Sequence, residues 1–233
     1  MKWLFAVTSM TLLLGAPSQY VYQKVSMEMV TRSAQKGLVN SLKATVYYTS
    51  EGKMASLYSE PQPMLVTNNA KGEIMVYDFK ANSVTQKQNF MMSTETNQLF
   101  YFLENNKNDL GLGKMGFGLK ETRFEDGLRI TVWQPPMQLA KDISKVELAH
   151  ERSNPVFMGY FDKKGKAINK VFFYNYQTVA GLQFPSAVTQ ITYTSEKDSV
   201  VSKTSYSNFK VDSDVDEQYL NFKVPSNAKI NNQ

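Results

Sequence analysis

One histidine, no cysteine and scattered carboxylates limit the chemistry that this chain's side chains can do. Without cysteine there are no disulfides, no thiolate metal ligands, no thiol nucleophile and no lipid attachment through an N-terminal cysteine. His150 stands in an alternating stretch, with no second histidine to share a metal, and reads as a structural strand residue. A Ser-His-Asp triad is open by count, but no nucleophile elbow is present. The carboxylate groups Glu125-Asp126 and Asp214/Asp216-Glu217 lie in polar, turn-like runs. A glycosidase needs two carboxylates facing each other across a cleft, and nothing picks such a pair here. Gly111-x-Gly113-x-x-Gly116 matches a dinucleotide fingerprint in letters alone, because an asparagine-rich stretch precedes it and no helix follows. The expectation is a chain that needs no metal or cofactor and is not an enzyme.

What the chain has in quantity is soft apolar surface: 12 methionines, 14 phenylalanines and 13 tyrosines in 233 residues. Methionine is unbranched and adapts to varied apolar ligands. The hydrophobic share is 42% and the charged share 20%, as in a globular protein. The net charge of +5 comes from scattered lysines, so nucleic acid is not expected as a partner. Lys2, the apolar run Trp3–Leu14 and the small residues Gly15-Ala16-Pro17-Ser18 form a secretory signal peptide over residues 1–18. The apolar run is too short to span a membrane. A periplasmic protein beginning at Gln19 is expected.

The elements that would present this apolar surface are mostly strands. Val25, Met27 and Met29 alternate with polar residues, as do Leu42, Ala44, Val46 and Tyr48. Ser50-Glu51-Gly52 and Asp126-Gly127 read as hairpin turns, while Pro61 and Pro63 confine the strand carrying Leu57 to an edge or an end. Gly72–Thr85 reads as two strands around an Asx-type turn, with Ile74 and Val76 on one face and Met75 and Tyr77 on the other. Val146, Leu148 and His150 share a face, and a polar glycine turn, Asp162–Gly165, separates strands over 156–161 and 171–176. The count is ten or eleven strands around one credible helix, Thr94–Glu104, with Ser93 as its cap. That pattern predicts a single mainly β domain over residues 19–233, sandwich-like or barrel-like.

Between the strands, Ser93–Gly118 stands apart. Leu99, Phe100, Phe102 and Leu103 make a greasy helix side, and Leu112, Met115 and Phe117 alternate with glycines in a segment that reads as mobile. A lid over a hydrophobic mouth fits this composition, with an apolar cavity expected beneath it. The lining would add Val46, Tyr48, Leu57, Ile74, Val76, Phe172 and Tyr174 from the strands.

Several of these stretches together resemble one family. Gly72–Thr85 is similar to the central hairpin of the LolA family of periplasmic lipoprotein carriers. Tyr160-Phe161-Asp162 with Gly165, Lys170–Tyr176, Val179-Ala-Gly-Leu-Gln-Phe-Pro185, Trp133-Gln-Pro-Pro136 and Phe222-Lys-Val-Pro225-Ser-Asn-Ala-Lys229 resemble its other motifs. The resemblance implies an unclosed β-barrel formed by a single curved antiparallel sheet, with a short helical lid. It implies a non-catalytic, monomeric carrier that binds the acyl chains of lipoproteins or lipids in that cavity and moves them toward the outer membrane. Its partners would be the acylated cargo, an inner-membrane ABC transporter and an outer-membrane receptor. The chain departs from the family pattern twice: the mature N-terminus reads as strand rather than helix, and Pro61–Thr67 lacks the arginine that latches the family's lid. A cell-envelope interaction or sensor module of the same fold stands as the alternative, with a secreted hydrolase third.

Overall fold

The computed structural model describes residues 22–89, 93–94, 98–105 and 107–231. The signal-peptide reading on residues 1–18 lies outside them, as do residues 95–97 of the expected helix. Six strands come first: β1 Lys24–Gln35, β2 Leu38–Thr49, β3 Met54–Glu60, β4 Met64–Asn68, β5 Glu73–Asp78 and β6 Ser83–Gln88. A helix, α1 Gln98–Leu103, follows. Seven strands form the second half: β7 Gly118–Glu125, β8 Leu128–Gln134, β9 Lys145–Glu151, β10 Asn154–Phe161, β11 Ala167–Val179, β12 Leu182–Ser195 and β13 Asp198–Val211. A two-residue strand, β14 Lys229–Ile230, ends the described chain.

All fourteen strands belong to one curved sheet in the order β14-β6-β5-β4-β3-β2-β1-β13-β12-β11-β10-β9-β8-β7. The sheet is antiparallel apart from the short parallel pairing of β14 with β6, and it does not close into a barrel. Among the described residues fourteen strands rather than ten or eleven are found; β14, with two residues, is too short to show a period. Each half is a meander, and the two meanders join where β1 pairs with β13. The connection from β6 to β7, which includes α1, therefore links the two ends of the sheet.

Local chemistry explains the turns. Asp126-Gly127 has φ of +49° and +79° and closes the β7–β8 hairpin. Two positive φ values match the right-handed strand twist, and Asp and Gly tolerate them best. Lys36-Gly37 and Ala180-Gly181 adopt the same form. Between β5 and β6, the Ala81 N–H donates to Asp78 Oδ1 at 2.8 Å, the Asx turn expected there.

Alternation sorts the apolar residues onto two faces. On the outer face of the first meander, Tyr47, Ala55, Leu65, Tyr77 and Val84 are buried beneath the C-terminal segment, which seats Val215 and Leu220 among them. Tyr219 lies 5.5 Å from the Tyr47 ring, and Phe222 lies 5.1 Å from the Tyr77 ring. The larger core lies on the concave face, where Val25, Met27, Val46, Tyr48, Leu148, Phe173 and Phe184 meet α1 and the loop after it.

Candidate functional site

The concave face is filled by the segment that crosses it. Leu99, Phe100, Tyr101, Phe102 and Leu103 are all buried, so this six-residue helix is apolar on every side. A helix buried all round sits inside a core rather than over one. The Phe102 ring stands 5.2 Å from Phe173, 6.0 Å from Phe184 and 6.3 Å from Tyr176. Phe100 meets Tyr48 edge-on at 5.9 Å. The expected cavity beneath a lid is thus occupied by the segment's own side chains, and the segment is a plug.

The glycine run serves this plug. Leu110, Leu112 and Phe117 are buried, which corrects the expectation of a mobile flap. The Asp109 carboxylate accepts the N–H groups of Gly111 at 3.0 Å and Gly113 at 3.1 Å. Gly111 has φ of +82°, and a Cβ there would lie 2.2 Å from the Tyr101 ring. The residue is glycine because the backbone runs against an aromatic face in a left-handed conformation. These glycines fold around a side-chain carboxylate of their own loop, so the dinucleotide pattern does not apply.

Side-chain hydrogen bonds fasten the plug. The Tyr22 hydroxyl donates to the Leu103 carbonyl at 2.7 Å, and the Tyr48 hydroxyl donates to Glu104 Oε1 at 2.8 Å. Burial, and then the Glu104 charge, push both phenols well above their ordinary pKa, so both remain donors. The Thr94 hydroxyl donates to the Gly52 carbonyl at 2.8 Å. His150 is fully buried, and its Nε2–H donates to the Lys107 carbonyl at 2.9 Å. The Lys107 ammonium donates to Asn154 Oδ1 at 3.0 Å and to the Gln183 carbonyl at 3.4 Å. Burial lowers the pKa of both Lys107 and His150, and for His150 the Arg129 and Lys107 charges lower it further. Two phenols, a lysine and a histidine, with the Thr94 hydroxyl, therefore hold the segment.

The predicted residues divide cleanly. Val46 and Tyr48, Leu99, Phe100, Phe102, Leu103, Leu112 and Phe117 meet in the concave core, with Met115 packed against it. Ile74 is buried, and it and Val76 lie on the face of β5 opposite Met75 and Tyr77, which pack against the C-terminal segment. Leu57 packs on the outer face with that segment. Phe172 and Tyr174 also point outward. The Phe172 ring lies tilted against Phe157 at 5.3 Å, and the Tyr174 hydroxyl meets Thr189 Oγ1 at 2.9 Å. Their neighbours Val171 and Phe173 take the inner face. In a run as apolar as Val171–Tyr176 either parity is plausible from sequence, and a slip of one residue exchanges the faces. Tyr22, Leu182, Phe184, Lys107 and His150 were not read as part of the site. The alternation of Val146 and Leu148 did place His150 on their face, whereas Lys107 sits among asparagines that read as loop.

Among the described residues no three of His, Cys, Asp and Glu form a metal-holding group, and no helix is long and apolar enough to cross a membrane. No family model and no curated protein sequence matches the chain. Solved structures do match. A DUF1329 family protein from Desulfovibrio piger is 15% identical with a TM-score of 0.58, over 86% of this chain and 90% of that one. A LolA superfamily protein from Nitrosomonas europaea is 10% identical with a TM-score of 0.56, over 86% and 91%. An outer membrane lipoprotein-sorting protein domain from Vibrio parahaemolyticus is 12% identical with a TM-score of 0.58, over 85% and 89%. The fold is thus LolA-like: an unclosed barrel wrapped around a crossing plug.

Proposed function

We propose that this protein is a non-catalytic periplasmic carrier, which holds the acyl chains of a lipoprotein or lipid on its concave face and moves them toward the outer membrane. The observation that carries this reading is the plug. The apolar inner face is covered by a segment held mainly through side-chain hydrogen bonds; a backbone bond from the Thr94 N–H to the Asn69 carbonyl at 3.1 Å ties its start, and none of its described residues pairs as a strand with the sheet. Such a cover can withdraw without breaking the sheet's backbone ladder. In the closed arrangement Phe102, Leu103 and Leu112 occupy the place of the cargo, so loading exchanges protein side chains for acyl chains. Burial of an acyl chain contributes about 0.8 kcal/mol per CH₂, enough to displace a plug of this size.

A fluorescent triacylated lipopeptide titrated into the purified protein tests the reading. Saturable binding to the wild-type chain is expected, tighter for Tyr48→Phe, which lacks one plug fastening. Absence of binding by both proteins would overturn the carrier reading and leave an envelope interaction module. A transporter and a receptor belong to this reading as donor and acceptor of cargo. Co-purification of an inner-membrane ABC transporter with the cargo-free protein would support them.

A further inference from the structure

The concave face extends past the plug. β1 and β2 have 12 residues each and β12 and β13 have 14 each, against 5–7 in β3 to β6. At roughly 3.3 Å per residue the four long strands overhang the short ones by several residues. Their register lines up rows of side chains across the inner face. One row runs Asn40, Ser33, Ser202 and Gln190, and continues into Val171 and Met158 of the plugged core. A second runs Thr192 and Asn169 into Tyr160 and Val146. Thr31 and Thr204, opposite each other, belong to a third.

The rows carry hydroxyls and amides at the overhang, interspersed with Leu42 opposite Thr31 and Val200 opposite Thr192, and apolar side chains under the plug. Neither portion carries a charge in these rows. Charge lies on the other face of the same strands, where Arg32 and Lys203 stand opposite each other and are exposed. A merely solvated surface has no reason to keep its charges off one face alone. The inner hydroxyls are organised: Thr31 Oγ1 and Thr204 Oγ1 are 2.9 Å apart, Ser33 Oγ and Ser202 Oγ 2.7 Å, and Asn169 Nδ2 donates to Thr192 Oγ1 at 3.0 Å. A depression of about 490 Å³ opens between Tyr160, Asn169, Gln190, Thr192 and Tyr193. Small-ligand sites typically measure roughly 300–1,000 Å³.

We propose that this neutral overhang binds the saccharide head of an amphiphile whose acyl part replaces the plug, an inference that rests on the carrier reading. Hydroxyls and amides both donate and accept, which suits a ligand made of hydroxyls. An anionic head would call for the cations that lie on the opposite face, and the Asp198 carboxylate at the end of the overhang, which a cationic head would need, is already engaged by Gln35, Thr194 and Lys36. The polar overhang and the apolar core are continuous along single rows, so one molecule with a head and a tail spans both.

Binding of dodecyl maltoside, dodecylphosphocholine and free maltose, each below micellar concentration, is measured by calorimetry on the full exported chain. The maltoside is expected to bind at least tenfold more tightly than the phosphocholine. Gln190→Leu combined with Thr204→Val is expected to bring the two within twofold while leaving phosphocholine affinity unchanged. Arg32→Ser, on the outer face, is expected to retain the tenfold preference. Equal affinities in the wild-type protein, or an undiminished preference in the double variant, would overturn the saccharide site and leave the carrier reading intact. Binding of maltose but of neither amphiphile would keep the overhang as a sugar site and overturn the acyl carrier. Binding of none of the three would overturn both.

Discussion

Two segments cover the sheet, one on each face, and they are held by different means. The C-terminal segment lies on the outer face of the first meander and ends in backbone pairing: the Lys229 N–H donates to the Asn82 carbonyl and the Asn231 N–H to the Val84 carbonyl, both at 2.9 Å. The plug lies on the inner face and is fastened mainly by side chains, namely two phenols, a lysine, a histidine and the Thr94 hydroxyl, with a backbone bond from the Thr94 N–H to the Asn69 carbonyl at its start. Both bury aromatic rings. Only the plug includes a buried ammonium and depends on a buried imidazole staying neutral. The first cover continues the ladder with backbone bonds, whereas the second relies mostly on side-chain polar contacts, an attachment that local opening can break without unfolding the sheet.

Substitutions should separate the two. Leu220→Ala, at a buried position of the C-terminal segment, should cost the whole molecule about 2–5 kcal/mol. Its urea midpoint should fall without a separate early transition, and loss of the C-terminal segment alone would break the contrast. Gly111→Ala should cost about 2–4 kcal/mol, from the left-handed backbone and the collision with Tyr101. Here the loss should be local. Hydrogen exchange should quicken over residues 98–117 and stay slow in the β1–β13 ladder, and uniform acceleration would mean that plug and sheet are one unit.

Acidity acts on the plug through His150. Its folded pKa lies below the ordinary 6.5, first through burial and then through the Arg129 and Lys107 charges, the Lys107 carbonyl bond opposing them. The folded state therefore binds this proton less readily than the unfolded state. Its contribution is fully present above the ordinary histidine pKa and is lost as the pH falls below it. The protection factors of residues 98–117, which divide out the slower intrinsic exchange at lower pH, should fall between pH 7.5 and 5.5, and His150→Gln should flatten that dependence. An unchanged dependence in the variant would assign it to other groups. Tyr48→Phe should release about 1 kcal/mol of plug stability and leave global unfolding almost unmoved. The exposed Lys43–Glu60 pair serves as the baseline: Lys43→Ala should alter neither reading by more than about 0.5 kcal/mol.

Much of the sheet and the apolar character of the plug are legible in the residues alone. Strict alternation in Leu42–Tyr48 and in Val146–His150 gave the strands and their buried faces, and Asp126-Gly127 gave a hairpin. The greasy composition of 99–117 marked a segment that must be covered. Whether it covers a cavity or fills one depends on the curvature of the sheet, which no local pattern encodes. The outward turn of Phe172 and Tyr174 escaped for the same reason that apolar runs always resist assignment: with bulky side chains on both faces, only the cross-strand partners settle which points in. Lys107 was hidden because its environment is made by Asn154 and Gln183, both distant in sequence. The C-terminal cover was hidden too, since Val215–Phe222 has neither period.

The seam between β1 and β13 has a consequence for how the chain is made. Thr31 and Thr204, which meet across it, are 173 residues apart in sequence. The first meander can assemble from neighbours as they emerge, yet β1 keeps a bare edge until nearly the last strand has been synthesised. Contacts of such separation slow folding into the millisecond-to-second range. During that delay the unpaired edge of β1 is where a nascent copy would be most prone to join another.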